Sequence, residues 1–303
     1  MKHLALNVYL RGRAAQDRLL AECVGPAVEE MRGSGLVRRF WFQPFDARGP
    51  HVGVVLGVAD DAADEVRAEF SARLEAFLAT HPSTEPLSDE EVARRHAECR
   101  GKRLCSIDAE PGIAAPGTFA FAEEAAPRYP FGPMPQPGAD DRAGEMMCGL
   151  ALWSIGHLRA GTGSRAAVRW AASVDLALRE SGEAADDYWR RHASTLLVGL
   201  DERYDADPEA IVSRLRELVG DRNRDAFARA WAEVEADGPP WSSATELVEH
   251  ALREGAQSPH GRWGVLREVN HCVLLQLGQM VRLHVPLVLY AWLRGSPVAA
   301  VAS

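Results

Sequence analysis

The chain has 303 residues, 47% of them hydrophobic and 25% charged, and a formal net charge of -9. That length supports a sizeable core in one large domain or two small ones. The acidic balance argues against a general nucleic-acid binder, which needs clustered Lys and Arg to neutralise phosphate. Five cysteines (Cys23, Cys99, Cys105, Cys148 and Cys272) form no CxxC pair and no zinc-like spacing with histidine. They read as reduced thiols of a cytoplasmic protein without a metal site.

The opening stretch MKHLALNVYLRGR is too short and too polar for a signal peptide. Leu4, Leu6, Val8 and Leu10 alternate with more polar neighbours, which predicts a first strand. Ala15 to Arg32 follows a helical period and is stopped by Gly33 and Gly35. Val37 to Phe45 and His51 to Val58 read as two strands joined in a hairpin across the Gly49-Pro50 turn. A second helix begins near Asp60 and runs through Val66, Phe70, Leu74 and Leu78. This order predicts an α+β fold whose N-terminal part is a split βαβ-type sheet, antiparallel or mixed, with helices on one face. A further strand is expected at Arg103 to Ile107.

From Glu110 to Ala139 proline and glycine dominate, which excludes helix and suggests a crossover. The aromatic residues Phe119, Phe121, Tyr129 and Phe131 imply that this segment packs. Helical patterns follow at 141–160, 164–181, 184–200, 208–219, 222–236, 243–254 and 262–294. The expected organisation is therefore 1–110 as an α/β half, 111–140 as crossover and 141–303 as a helical half, within one integrated domain. The stretch Val281 to Leu293 carries Arg282, His284 and Pro286 and falls short of the roughly 20 apolar residues a membrane span needs.

Within 262–294, Gln276, Gln279 and Arg282 are spaced to share one face of an otherwise apolar helix. Such a stripe suits a cleft that binds amide carbonyls, and equally a solvated helix face. Tyr290 lies about two turns beyond and suits an acid or an aromatic core position. His51 ends the turn before an apolar strand and either orders that turn or donates to substrate. Asp141, with Asp140 and Glu145, opens a helix as a cap or as a carboxylate that serves as base or binds a peptide amine. His157, His192 and His250 read as ordinary surface or core histidines.

The aromatic strand Phe40 to Phe45, the turn Gly49-Pro50-His51, the Ala-rich helix carrying Arg165 and Arg169, and the last helix with Leu274, Leu275 and Arg282 together resemble the C-terminal domain of lantibiotic dehydratases and the stand-alone thiopeptide-maturation proteins. Members that eliminate glutamate are Arg-rich after Gly-Pro-His and carry a His before the last-helix Arg. A guanidinium there would pair with the glutamyl carboxylate, and the His would remove an α-proton. This chain has Gly53 and Val55 at the Arg positions, and Gln276, Gly278 and Gln279 where the His would fall.

The departures make the thiopeptide pyridine synthases the nearer resemblance. It implies a formal aza-cycloaddition between two dehydroalanines of a precursor peptide, with elimination of the leader peptide and no cofactor. It further implies Arg282, Gln279 and Tyr290 as catalytic residues, and Gln276, His51, Asp141 and Arg39 as substrate-binding ones. The partner is the precursor peptide, leader plus dehydrated core; dehydratase partner proteins and a homodimer are also admitted. An acidic leader would be met by an Arg groove from Arg38, Arg39, Arg95, Arg100 and Arg103. The alternatives are a split glutamate-eliminating lyase and a non-catalytic leader-binding subunit.

Overall fold

The computed structural model describes residues 1–45, 49–82, 88–94, 114–122, 128–129, 132–133, 142–198, 217, 219–239, 241–257 and 263–295. The expected strand at Arg103 to Ile107, and most of the helix expected at 208–219, lie outside these residues. The chain divides into two compact units, Met1–Gly161 and Thr162–Ser303.

The first unit is built on a four-stranded antiparallel sheet in the order β2-β3-β1-β4, from β1 (Lys2–Tyr9), β2 (Val37–Phe45), β3 (His51–Val58) and β4 (Thr118–Ala122). Strand β3 lies between β1 and β2 and runs antiparallel to both, which is the split βαβ arrangement the element order predicts. Strand β4 was not anticipated. It pairs with β1 as an outer strand, Leu6 opposite Phe121 and Val8 opposite Phe119, so these two aromatic residues of the crossover segment extend the sheet. Two further short strands, β5 (Arg128–Tyr129) and β6 (Gly132–Pro133), form a separate hairpin.

Period-two patterning puts Leu4, Leu6, Val8, Val52, Val54, Leu56, Phe40 and Phe42 into the core. The first helical stretch starts as α1 (Arg13–Leu19), passes through a π turn at Leu20–Val24, and continues as α2 (Gly25–Gly33). Pro26 explains the irregularity: it cannot donate to the carbonyl four residues back, and the wider turn absorbs that lost bond. Helix α3 (Ala63–Thr80) buries Val66, Phe70, Leu74 and Phe77. Helix α4 (Arg142–Arg159) packs beside β2 and against the π turn.

The second unit is helical: α5 (Gly163–Glu180), α6 (Ala185–Val198), α7 (Asp221–Asp237), α8 (Ala244–Gln257), α9 (Gly264–Gln276) and α10 (Met280–Gly295). A buried carboxylate organises it. Asp175 of α5, 2% exposed, accepts from Trp189 Nε1 of α6 at 2.9 Å, Trp231 Nε1 of α7 at 3.1 Å and Arg294 Nη1 of α10 at 3.1 Å. Arg179, one turn along α5, adds Nε at 3.2 Å. An ionised carboxylate is tolerated in a core only when its lone pairs are satisfied in this way.

Candidate functional site

The expected helix over 262–294 is two helices. Helix α9 ends in a Schellman cap: Gly278, at φ +71°, donates its N–H to the Leu275 carbonyl at 3.1 Å, and Gln279 N–H reaches Leu274 at 2.8 Å. Gln279 then begins α10, its carbonyl accepting from Leu283 N–H at 2.9 Å. A left-handed residue is cheap only for glycine, so Gly278 is where the chain turns. Gln276, Gln279 and Arg282 therefore do not share one face of a single helix. Gln276 closes α9 and is fully buried, Gln279 forms the junction, and Arg282 lies in the first turn of α10, its side chain outside what is described.

The start of α5 is drawn against this junction. Gly163 approaches so closely that a Cβ there would lie 2.8 Å from the Leu277 carbonyl oxygen. Ser164 Oγ donates to Gln279 Oε1 at 2.9 Å, and Gln279 Nε2 donates to Leu277 O at 3.1 Å. The Gln279 amide, expected to be catalytic, is thus a clasp between two helix beginnings.

Two of three clustered histidines lie on the helices that flank this junction. His271 of α9 and His284 of α10 meet edge to face with ring centroids 5.9 Å apart, and His284 meets His192 of α6 at 5.2 Å. The Nε2 atoms of His284 and His192 are 3.1 Å apart, a hydrogen bond in which one ring donates and the other accepts. His192 is 3% and His284 4% exposed. Burial, reinforced by His284, Arg267 and His271, pushes His192 down to about 3. Burial and then His271 push His284 down to about 4. His271 is lowered by burial against an opposing effect of Glu268. All three imidazoles are therefore neutral at neutral pH, because burial penalises the charged form.

The polar chain continues inward. Tyr188 packs on His192 with ring centroids 5.7 Å apart and accepts from Asn270 Nδ2 at 3.1 Å, while Asn270 Oδ1 accepts from Trp170 Nε1 at 2.6 Å. Sequence reasoning missed this cluster. His271 and His284 straddle a break hidden by continuous apolar periodicity, and His192 arrives from a helix some eighty residues earlier. Gly278 was the one local signal. Among the described residues, no three His, Cys, Asp or Glu side chains are grouped to hold a metal ion.

Tyr290 sits ten residues along α10, roughly 15 Å from its start. There it packs edge to face on Phe227 and Trp231, and burial raises its hydroxyl pKa. In the first unit, His51 is 1% exposed, packs between Tyr9 and Phe45, and its Nδ1 lies 2.9 Å from the Gly49 carbonyl, ordering the turn it ends. A Cβ at Gly53 would lie 2.8 Å from the Phe45 ring, so that ring fills the space a side chain at this position would take.

Arg39 is 5% exposed, crosses Gly57 and Gly144, and is ion-paired with Glu145. Its neighbour Arg38 is exposed, so the two do not line one groove. Asp141, Arg95, Arg100 and Arg103 lie outside the described residues. No helix among the described residues is long and apolar enough to cross a membrane.

This chain is similar to solved structures. The pyridine synthase TbtD from thiomuracin biosynthesis aligns over 96% of both chains at 18% identity, with a TM-score of 0.64. TsrL aligns over 96% of this chain and 93% of its own at 13% identity and a TM-score of 0.51. The tRNA-dependent lantibiotic dehydratase MibB from Microbispora sp. 107891 is 14% identical with a TM-score of 0.48, and this chain spans 27% of it. No curated protein sequence matches the chain. The resemblance read from the sequence is borne out: residues 4–100 match the family described as lantibiotic biosynthesis dehydratase C-term.

Proposed function

We propose that this protein matures a ribosomally made peptide, and that its reaction is pyridine formation between two dehydroalanines with loss of the leader peptide. The observation that carries this reading is the fold shared with a pyridine synthase from end to end, over 96% of both chains. Two features of the second unit support it. Holding two alkenes of a flexible peptide together is mainly a problem of positioning, worth roughly 7–11 kcal/mol when done well, and the clasped junction at Gln279 and Ser164 offers rigid amide and hydroxyl groups for it. The remaining work is proton placement: one amide takes its iminol form, then water and the leader carboxamide leave. Each elimination breaks one carbon–heteroatom bond and one bond to hydrogen, so no net proton is consumed. The neutral imidazoles of the helices that flank the junction supply N–H donors and lone-pair acceptors for the hydrogen bonds of these steps.

The test is mass spectrometry of the protein with a leader-bearing peptide that contains two dehydroalanines. Loss of water and of the leader as carboxamide, with a new pyridine absorbance, is the expected result. An intact dehydrated peptide, with a glutamylated peptide losing glutamate instead, would replace the cyclase reading by the lyase one.

A further inference from the structure

His192 is the group that the site as described leaves unexplained. Its Nε2 faces His284 Nε2 at 3.1 Å, while its Nδ1 is buried and finds no hydrogen-bond partner among the described residues. Two tautomeric arrangements satisfy the bond between the rings. If His284 donates, the proton of His192 sits on Nδ1 as a buried N–H without an acceptor. If His192 donates from Nε2, its Nδ1 is only an unused lone pair. Native structures tolerate an under-used acceptor better than an orphaned donor. His284 Nδ1, unlike His192 Nδ1, is not among the buried side-chain atoms left without a partner, so the second arrangement wins, and it sends the proton of His284 to Nδ1.

We propose that His192 is a positioning residue that fixes His284 as the Nδ1–H tautomer, so that His284 presents a hydrogen-bond donor to a substrate amide carbonyl at the α9–α10 junction. The inference rests on the reading of the protein as an enzyme acting on a peptide, and it specifies which group aids the carbonyl that becomes an iminol. A neutral imidazole N–H is suited to this task, as it stabilises a developing charge on oxygen without carrying a full charge into the core. Arg267, which bears on His192, disfavours a cationic ring there, and His271 does the same at both rings. The i, i+4 neighbour Tyr188 and the ring of Trp189, stacked at an interplanar angle of 4°, hold the His192 plane. His192→Phe keeps an aromatic ring against Tyr188 and Trp189.

The experiment is long-range proton–nitrogen correlation on the full chain labelled with 15N-histidine, combined with kinetics on the bis-dehydroalanine peptide. Expected are an Nδ1–H tautomer for His284 and an Nε2–H tautomer for His192 in the wild-type protein. His192→Phe should lose the fixed His284 tautomer and lower kcat by about 10²-fold with KM little changed. His192→Asn, which keeps a donor, should recover part of that loss. An Nε2–H tautomer for His284, or wild-type kcat in His192→Phe, overturns the proposal. A wild-type protein that leaves the peptide intact overturns the cyclase reading instead, and the spectrum still decides the tautomer.

Discussion

Asp175→Ala is the sharpest test of how the helical unit is held together. The carboxylate is 2% exposed and receives two indole N–H groups at 2.9 and 3.1 Å as well as Arg179 and Arg294. Removing it strands the Trp189 and Trp231 N–H groups in the core, where each unsatisfied donor costs about 1–3 kcal/mol. The guanidiniums differ, because their side chains are 42% and 31% exposed and can return to water, so their share is small. Allowing for some relaxation, the loss should be about 3–5 kcal/mol, a large part of a typical stability of about 5–15 kcal/mol. Asp175→Asn keeps one acceptor oxygen but turns an amide N–H toward another donor, so it should lie between alanine and wild type. Urea unfolding followed by tryptophan fluorescence is the assay, since two of the reporting indoles are the ones left without an acceptor. A loss below about 1 kcal/mol for Asp175→Ala would refute the argument that this carboxylate ties α5, α6, α7 and α10 together.

Other outcomes follow from the same structure. Because His192 and His284 have native pKa values near 3 and 4, below the ordinary 6.5, the unfolded chain binds more protons between those limits. Stability should be level above pH 6.5 and fall as pH drops from 6.5 toward 3, by a few kcal/mol; His192→Phe should flatten that slope in acid denaturation. Gly278→Ala places a Cβ on a residue at φ +71° and should cost about 1–2 kcal/mol, read as a lower urea midpoint. Gly163→Ala drives a methyl to 2.8 Å from the Leu277 carbonyl, so it should open the Gln279–Ser164 clasp and lower turnover of the dehydrated peptide more than it lowers stability. A fully active Gly163→Ala would mean that the clasp has no part in the reaction.

Elements whose cause is local were readable in the order of the amino acids. Alternating apolar residues laid down β1, β2 and β3, the Gly-Pro turn joined the last two, and helical periodicity gave α3 and most of the second unit, because solvent on one side and core on the other impose their own period on the chain. The family resemblance was also legible, being carried by residues in order along the chain. Features whose partners lie far apart along the chain emerged only in the folded packing. Strand β4 is extended because β1 has a free edge to offer, which nothing in the prolines and glycines around it announces. The break at Gly278 was masked because apolar residues continue at helical spacing on both sides of it, so the three polar residues that seemed to form one stripe were separated. Asp175 and His192 look ordinary in isolation. Their roles come from indoles, guanidiniums and a second imidazole delivered by other helices, and a buried polar group takes its meaning from the partners that satisfy it.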